Sequence, residues 1–267
     1  MTESTQILDA RITELCRTLR LPSVVRNASS VAERWRRQSG DPLAYLVELL
    51  ENEVAERSER RALRRLKEAR FPMVKTLEGF DFRRSPDLPE SLLRGLVEGS
   101  YIDKAESVIF IGEPGTGKTH LATALGVAAA QQGRAVRFVT TGRLVNELVE
   151  AKDARALSRV VGRYSRVSVL IVDELGYVPL SKADAELLFQ VLSERHEKQP
   201  LILTTNLPFS EWTTVFPDPR LCRALIDRLT HRAHIIETGD RSIRLEEALG
   251  RRKGRRRAKE IIDTQND

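Results

Sequence analysis

The stretch Val108-Ile109-Phe110-Ile111-Gly112-Glu113-Pro114-Gly115-Thr116-Gly117-Lys118-Thr119-His120-Leu121 decides how this chain folds. It opens on a short apolar run, passes through a glycine-rich turn and enters a helical sequence that reaches about Gln132, with Gly133 where a C-terminal cap belongs. Gly112 to Thr119 fit the pattern GxxxxGK[ST]. The glycines let the backbone curl round an oxyanion with several N–H groups pointing inward. The helix that begins there turns its positive dipole end to the same point. Lys118 is expected to bridge the β- and γ-phosphates of a nucleotide, and the Thr119 hydroxyl to ligate Mg²⁺. The pattern alone is degenerate; the strand ahead of it and the helix behind it give it weight. The expected nucleotide-binding set is Gly112, Glu113, Pro114, Gly115, Thr116, Gly117, Lys118, Thr119 and His120.

Further along, Val169-Leu170-Ile171-Val172-Asp173-Glu174 is an apolar strand ending in two acids. In open α/β sheets ligands bind at the carboxyl edge of the strands, where these acids fall. Asp173 is expected in the magnesium shell, and Glu174 as the base that orients and deprotonates an attacking water. A third strand, Leu201 to Thr205, ends at Asn206, whose amide is placed to contact the γ-phosphate and the water; a turn role before Pro208 competes with that reading. Strands at Ala135–Thr140 and His234–Glu237 complete an alternation with helices, including Ala183 to Glu197. Short apolar strands separated by helices predict a parallel sheet covered on both faces. Ser181-Lys182-Ala183-Asp184 faintly resembles a guanine-reading NKxD string, but it follows Asp173 too closely to end a later strand. It reads as a helix start, and ATP is the expected nucleotide. Arg223, Arg228 and Arg232 share one helical stretch, where a guanidinium offered to a neighbouring subunit's γ-phosphate competes with a plain solvated basic face. Spacing alone does not separate them.

Upstream, Leu8, Ile12, Leu15 and Leu19, and then Leu43, Leu46, Val47, Leu50 and Val54, recur at helical spacing. The domain reading is a helical domain at 1–72, a connector at 73–105, the nucleotide-binding domain at 106–248 and a basic tail at 249–267. The net charge is +6 over 267 residues, and the arginines cluster, which points to a polyanionic partner. One cluster is Arg57, Arg60, Arg61, Arg64 and Arg65 on a helix that also carries Glu56, Glu59 and Glu68. The other is the tail Arg251, Arg252, Lys253, Arg255, Arg256 and Arg257. Neither interleaves aromatics with basics, so contact with the backbone of duplex DNA is expected rather than base stacking. A solvated charged surface for the helix and a solubilising end for the tail are the bland alternatives. Cys16 and Cys222 form no CxxC pair and read as packing thiols; His231 and His234 lack further ligands at metal spacing. The N-terminus lacks a signal-peptide core, and no apolar run is long enough to span a membrane, so a cytoplasmic location is expected.

Taken together, Gly112–Ala122 (GEPGTGKTHLA), Asp173-Glu174-Leu175-Gly176-Tyr177, Thr204-Thr205-Asn206-Leu207-Pro208-Phe209 with Trp212, and Asp227-Arg228-Leu229 resemble the IstB family. These are AAA+ helper ATPases of IS21-type insertion sequences, related to the helicase loader DnaC. The likeness runs from the helical N-terminal part through Leu245. It implies an α/β P-loop NTPase of AAA+ type with a five-stranded parallel sheet, preceded by a small all-helical domain. It implies that Lys118 and Thr119 form the Walker A pair, Asp173 and Glu174 the Walker B pair, Asn206 sensor 1 and Arg228 the arginine finger, with Arg244 as a sensor-2 candidate. The few residues after Arg244 leave no room for a full helical lid, so closure over nucleotide is expected to depend on neighbouring subunits. ATP-controlled self-assembly on duplex DNA and stimulation of a partner transposase follow from the same likeness. A replicative helicase loader, a scaffold that binds ATP without turning it over and a metabolite kinase are the rival readings.

Overall fold

The computed structural model of the chain describes residues 3–37, 41–240 and 242–243, with side chains from residue 6 onward. Arg244 and the basic run from Arg251 to Arg257 lie outside the described residues. The chain divides into two compact units, Met1–Arg64 and Arg65–Asp267.

The first unit holds α1 (Glu3–Thr18), α2 (Pro22–Arg37) and most of α3 (Pro42–Ala69). Pro22 does not only stop α1; it sits at the first position of α2, where its missing N–H is harmless. The N–H groups of Ser23 and Val24 that follow donate to buried Glu53 of α3, at 2.7 and 3.3 Å, so a carboxylate caps the positive end of α2. Cys16, Val24, Ala28, Val31 and Leu49 form the small core of this unit. Leu8, Leu15 and Leu19 of α1 and Leu43, Leu46, Val47, Leu50 and Val54 of α3 lie exposed.

The second unit is built on β1 (Ser107–Ile111), β2 (Val136–Thr140), β3 (Val169–Leu175), β4 (Leu201–Thr205) and β5 (Ala233–Glu237). All pairings are parallel and the order is β2-β3-β4-β1-β5. Parallel neighbours need crossovers, and these are α6 (Lys118–Gln131), α7 (Thr141–Asp153) with α8 (Leu157–Ser165), α9 (Lys182–Arg195) and α10 (Pro219–Thr230). The central strands are apolar at successive positions because side chains alternate between two covered faces. Ile109, Leu170, Val172 and Leu203 meet α7, α9 and α10 through Leu144, Leu148, Leu188 and Leu225. Val108, Phe110, Ile171 and Ile202 face the other way, toward Leu121 and Leu125 of α6.

Residues 73–105 join that second core. They contain α4 (Glu90–Val97) and α5 (Ser100–Asp103), and Leu77, Phe80, Leu88, Leu93, Leu96 and Tyr101 are all buried in it. Arg195, at the end of α9, is almost wholly buried. Its guanidinium donates to the carbonyls of Tyr164 (2.6 Å), Val167 (3.0 Å) and Pro200 (2.9 Å), so one side chain holds the turns that lead into β3 and β4. Arg195→Met strands those carbonyls without donors and is expected to cost roughly 3 kcal/mol of folding stability. Urea denaturation of the two proteins measures it, and a loss below 1 kcal/mol would contradict the role.

Candidate functional site

The carboxyl ends of β1, β3 and β4 open into a cleft of about 310 Å³. Its floor is the loop Pro114–Thr119, one wall carries Glu174, Thr204, Thr205 and Asn206, and the other is Lys75, Gly79, Phe80, Asp81 and Arg84 of the segment before β1. Gly112, Gly115 and Gly117 have φ of 154°, 91° and 98°. At Gly117 both conformation and space require glycine, since a Cβ there would lie 2.6 Å from Phe80 Cε2. The loop is further held by Thr116, whose hydroxyl shares a 2.6 Å hydrogen bond with Thr238 after β5. The N–H of Ile243 donates to the carbonyl of Gly115 at 3.1 Å, and Arg84 donates to the carbonyl of Ile243 at 3.0 Å.

Lys118 begins α6, and its ammonium donates to the carbonyls of Gly112 and Glu113 at 2.6 and 2.7 Å, curled back over the loop that is shaped for phosphate. The Thr119 hydroxyl donates to Asp173 at 3.0 and 3.2 Å from its two oxygens. Asp173, 4% exposed, also accepts a 2.5 Å hydrogen bond from Thr204 on β4, and its own carbonyl accepts from Thr141 at 3.0 Å. The pairing of β3 with β4 shifts register between Val172 and Leu175. There Glu174 adopts a left-handed φ of 62°, and its N–H donates to the Thr204 hydroxyl at 2.9 Å. On a straight strand, adjacent residues point to opposite faces. The irregularity instead leaves Asp173 buried against Thr119 and Glu174 exposed at the cleft.

The hydroxyl of Thr119 and the carboxylate of Asp173 are hard oxygen donors that meet at the mouth of the phosphate loop. That chemistry fits Mg²⁺, which takes one or two carboxylates and completes its shell with water and phosphate oxygens. Asn206 lines the same cleft, beyond β4. His120 Nε2 donates to the Thr76 carbonyl at 2.9 Å, and the ring lies edge-on to Phe80, with ring centroids 5.2 Å apart. Burial holds its imidazole below the ordinary range, against the Thr76 hydrogen bond that raises it.

Arg228 lies elsewhere in its own chain. Its guanidinium rests 4.9 Å from the Phe189 ring centre, at the edge of the sheet where β1 and β4 begin. On α3, Arg57 pairs with Glu53 at 2.7 Å, Arg60 with Glu56 at 3.1 Å and Arg65 with Glu68 at 2.9 Å, while Arg61 and Arg64 are exposed. The i,i+4 spacing of Glu53–Arg57 and Glu56–Arg60 is a signal the sequence carried. Phe80 and Thr238 went unnamed in the sequence reading, and Thr204 was quoted there only within a string, with no role in the site. Thr204 shows there only as a polar residue in an apolar strand, and nothing marks Phe80 or Thr238. Among the described residues, no helix is long and apolar enough to cross a membrane.

The family model described as IstB-like ATP binding protein matches residues 14–250. A Geobacillus stearothermophilus protein of insertion sequence IS5376, named for an inferred ATP-binding role, is 37% identical over 89% of this chain and 94% of its own. The corresponding protein of insertion sequence IS21 from Pseudomonas aeruginosa is 38% identical over 86% of each chain. Among solved structures, AMPPCP-bound DnaA from Aquifex aeolicus superposes with a TM-score of 0.52 at 22% identity, covering 62% of this chain and 51% of that one. DnaI gives 0.52 at 19% identity, covering 61% and 90%. The fold is that of AAA+ P-loop proteins.

Thr204→Val tests the wall of the cleft. It leaves the Glu174 N–H without its acceptor and Asp173 with one donor fewer, which is expected to lower stability by about 1–3 kcal/mol. Chemical denaturation in the absence of nucleotide reads it, and an unchanged midpoint would remove Thr204 from this role.

Proposed function

Since this chain belongs to the family of IstB-like ATP-binding proteins, we propose that it hydrolyses ATP, assembles on duplex DNA and stimulates a transposase. The observation that carries the enzymatic part is the pairing of Thr119 with Asp173 beside a Glu174 presented at the same cleft. A domain that only bound nucleotide would have no use for the second acid. ATP is supported by the family and by the fold shared with an AMPPCP-bound protein.

In this reading the Lys118 ammonium leaves the carbonyls of Gly112 and Glu113 for the β- and γ-phosphates as they enter. Thr119 and Asp173 would hold Mg²⁺, which would supply charge neutralisation for the phosphoryl group being transferred. Glu174 takes a proton from the attacking water, and Asn206 holds that water in line with the γ-phosphate. The residues of the Gly112–Thr119 loop aim backbone N–H groups at the charge. Arg228, too far from its own cleft to serve it, supplies its guanidinium to the cleft of an adjacent subunit in a homo-oligomer. Arg223 lies on the same helix, whereas Arg232, expected there too, falls beyond its end in a left-handed turn; neither has the resemblance in its favour, and Arg244 is proposed to close over the nucleotide.

DNA binding is assigned to α3 and to the basic run from Arg251 to Arg257. Arg61 and Arg64 are exposed with no ion-pair partner among the described residues, and the surface pairs of Arg60 and Arg65 are weak enough to exchange for phosphate; Arg57, anchored to buried Glu53, adds its charge without leaving that partner. The helical unit is proposed to dock the transposase. Loading of a replicative helicase would use the same ATPase residues, but the relatives named for insertion sequences favour transposition.

Steady-state ATPase activity, measured with and without duplex DNA at two salt concentrations, tests the proposal. Glu174→Gln is expected to lower turnover by about 10²–10⁴-fold while retaining ATP binding. A variant as active as the parent would overturn the assignment of the base. If six or more phosphates are contacted, raising salt from 50 to 200 mM should weaken DNA binding by about 10³-fold or more. Salt-independent binding would rule out the electrostatic account.

A further inference from the structure

At the far edge of the sheet from the nucleotide cleft, three side chains able to bind metal converge. His196 and Glu197 follow directly on α9, and His231 caps the C-terminal end of α10. His231 Nδ1 lies 3.6 Å from Glu197 Oε1, and His196 Nε2 lies 4.0 Å from the same oxygen. One ligand atom from each residue falls within 4.8 Å of the other two, and the imidazole centroids are 5.6 Å apart. His234, close to His231 in sequence, takes no part: its Nε2 is 3.1 Å from Glu106.

The cluster stands on fixed backbone. Arg195, immediately before His196, is the residue locked to three carbonyls, and its own carbonyl accepts from the N–H groups of Lys198 and Gln199, both at 3.0 Å. Within that turn Glu197 takes a left-handed φ of 60°, which brings its carboxylate to the two imidazoles. On the other side, the N–H of His231 continues the ladder of α10 to Asp227 at 3.1 Å.

We propose that His196, Glu197 and His231 bind a divalent transition-metal ion of the Zn²⁺ class. With metal–ligand bonds of about 2.0–2.2 Å, the ligand atoms of a tetrahedral ion stand about 3.4 Å apart. The separations of 3.6 and 4.0 Å from the Glu197 oxygen exceed that by a few tenths of an ångström, and the widest lies within 4.8 Å, a gap that rotation of the exposed Glu197 and His231 side chains can close. Two imidazoles and one carboxylate suit first-row transition ions, whereas Mg²⁺ and Ca²⁺ prefer all-oxygen shells. Glu197 and His231 are 59% and 54% exposed, which leaves a fourth position open to water. Arg228 and Arg232 line the same depression; their charge opposes a cation, but exposed charges are partly screened at ordinary ionic strength. An ion held here ties the turn ahead of β4 to the last turn of α10.

Calorimetric titration of the untagged full chain with Zn²⁺, in a large excess of Mg²⁺ to occupy the oxygen site at Thr119 and Asp173, is the test. One Zn²⁺ per chain is expected. Affinity should fall by at least about tenfold in His196→Ala, His231→Ala and Glu197→Gln, the loss that even an outer-shell change brings, and should not change in His234→Ala. Circular dichroism checks that each variant is folded. Co²⁺ added to the unaltered chain should give the intense visible absorption of a four-coordinate ion. No binding, binding that persists in His196→Ala and His231→Ala, or a weak six-coordinate Co²⁺ spectrum would overturn the proposal.

Discussion

A buried carboxylate is stable only when donors surround it, and at Asp173 those donors come from different parts of the fold. Thr119 reaches it from the first turn of α6 and Thr204 from β4, while Thr141, at the start of α7, secures the Asp173 carbonyl. Charge-assisted hydrogen bonds of this kind are roughly twice as strong as neutral ones. The ends of β3, β4, α6 and α7 are therefore aligned by one residue's need for partners. The phosphate loop, which connects β1 to α6, inherits its position from that alignment, and so does Glu174 through its bond to Thr204.

Segments on either side of the five strands complete the loop's support. Phe80, ahead of β1, covers Gly117, and Thr238 and Ile243, after β5, hold Thr116 and Gly115. Arg84 joins the two segments through the Ile243 carbonyl. The loop is therefore braced from both sides rather than standing alone at the sheet edge.

The strands were legible because burial on both faces writes an unbroken apolar run, and the phosphate loop because its glycines and lysine are demanded by local geometry. Four of the strands appear within two residues of their expected limits, and β3, expected over Val167–Val172, starts at Val169 and runs on through the two acids to Leu175. The packing of residues 73–105 was not legible: α4 is only eight residues long and α5 only four, too short to show a period. Phe80 belongs to that stretch, and its contact with Gly117 spans a separation no local pattern records. On α1 and α3 the periodicity announced helices correctly but not which side each presents, since Leu8, Leu15, Leu43 and Leu50 lie exposed. The three metal-capable residues stayed hidden for the same reason, as His231 meets His196 and Glu197 only through the fold.

Glu174 sits where a side chain with a Cβ is unwelcome. A left-handed backbone costs an ordinary residue about 1–2 kcal/mol that glycine or asparagine largely avoids. Glycine or asparagine there would relieve that cost and remove the acid in the same step. If Glu174 is the base proposed above, durability and turnover pull in opposite directions at this one position.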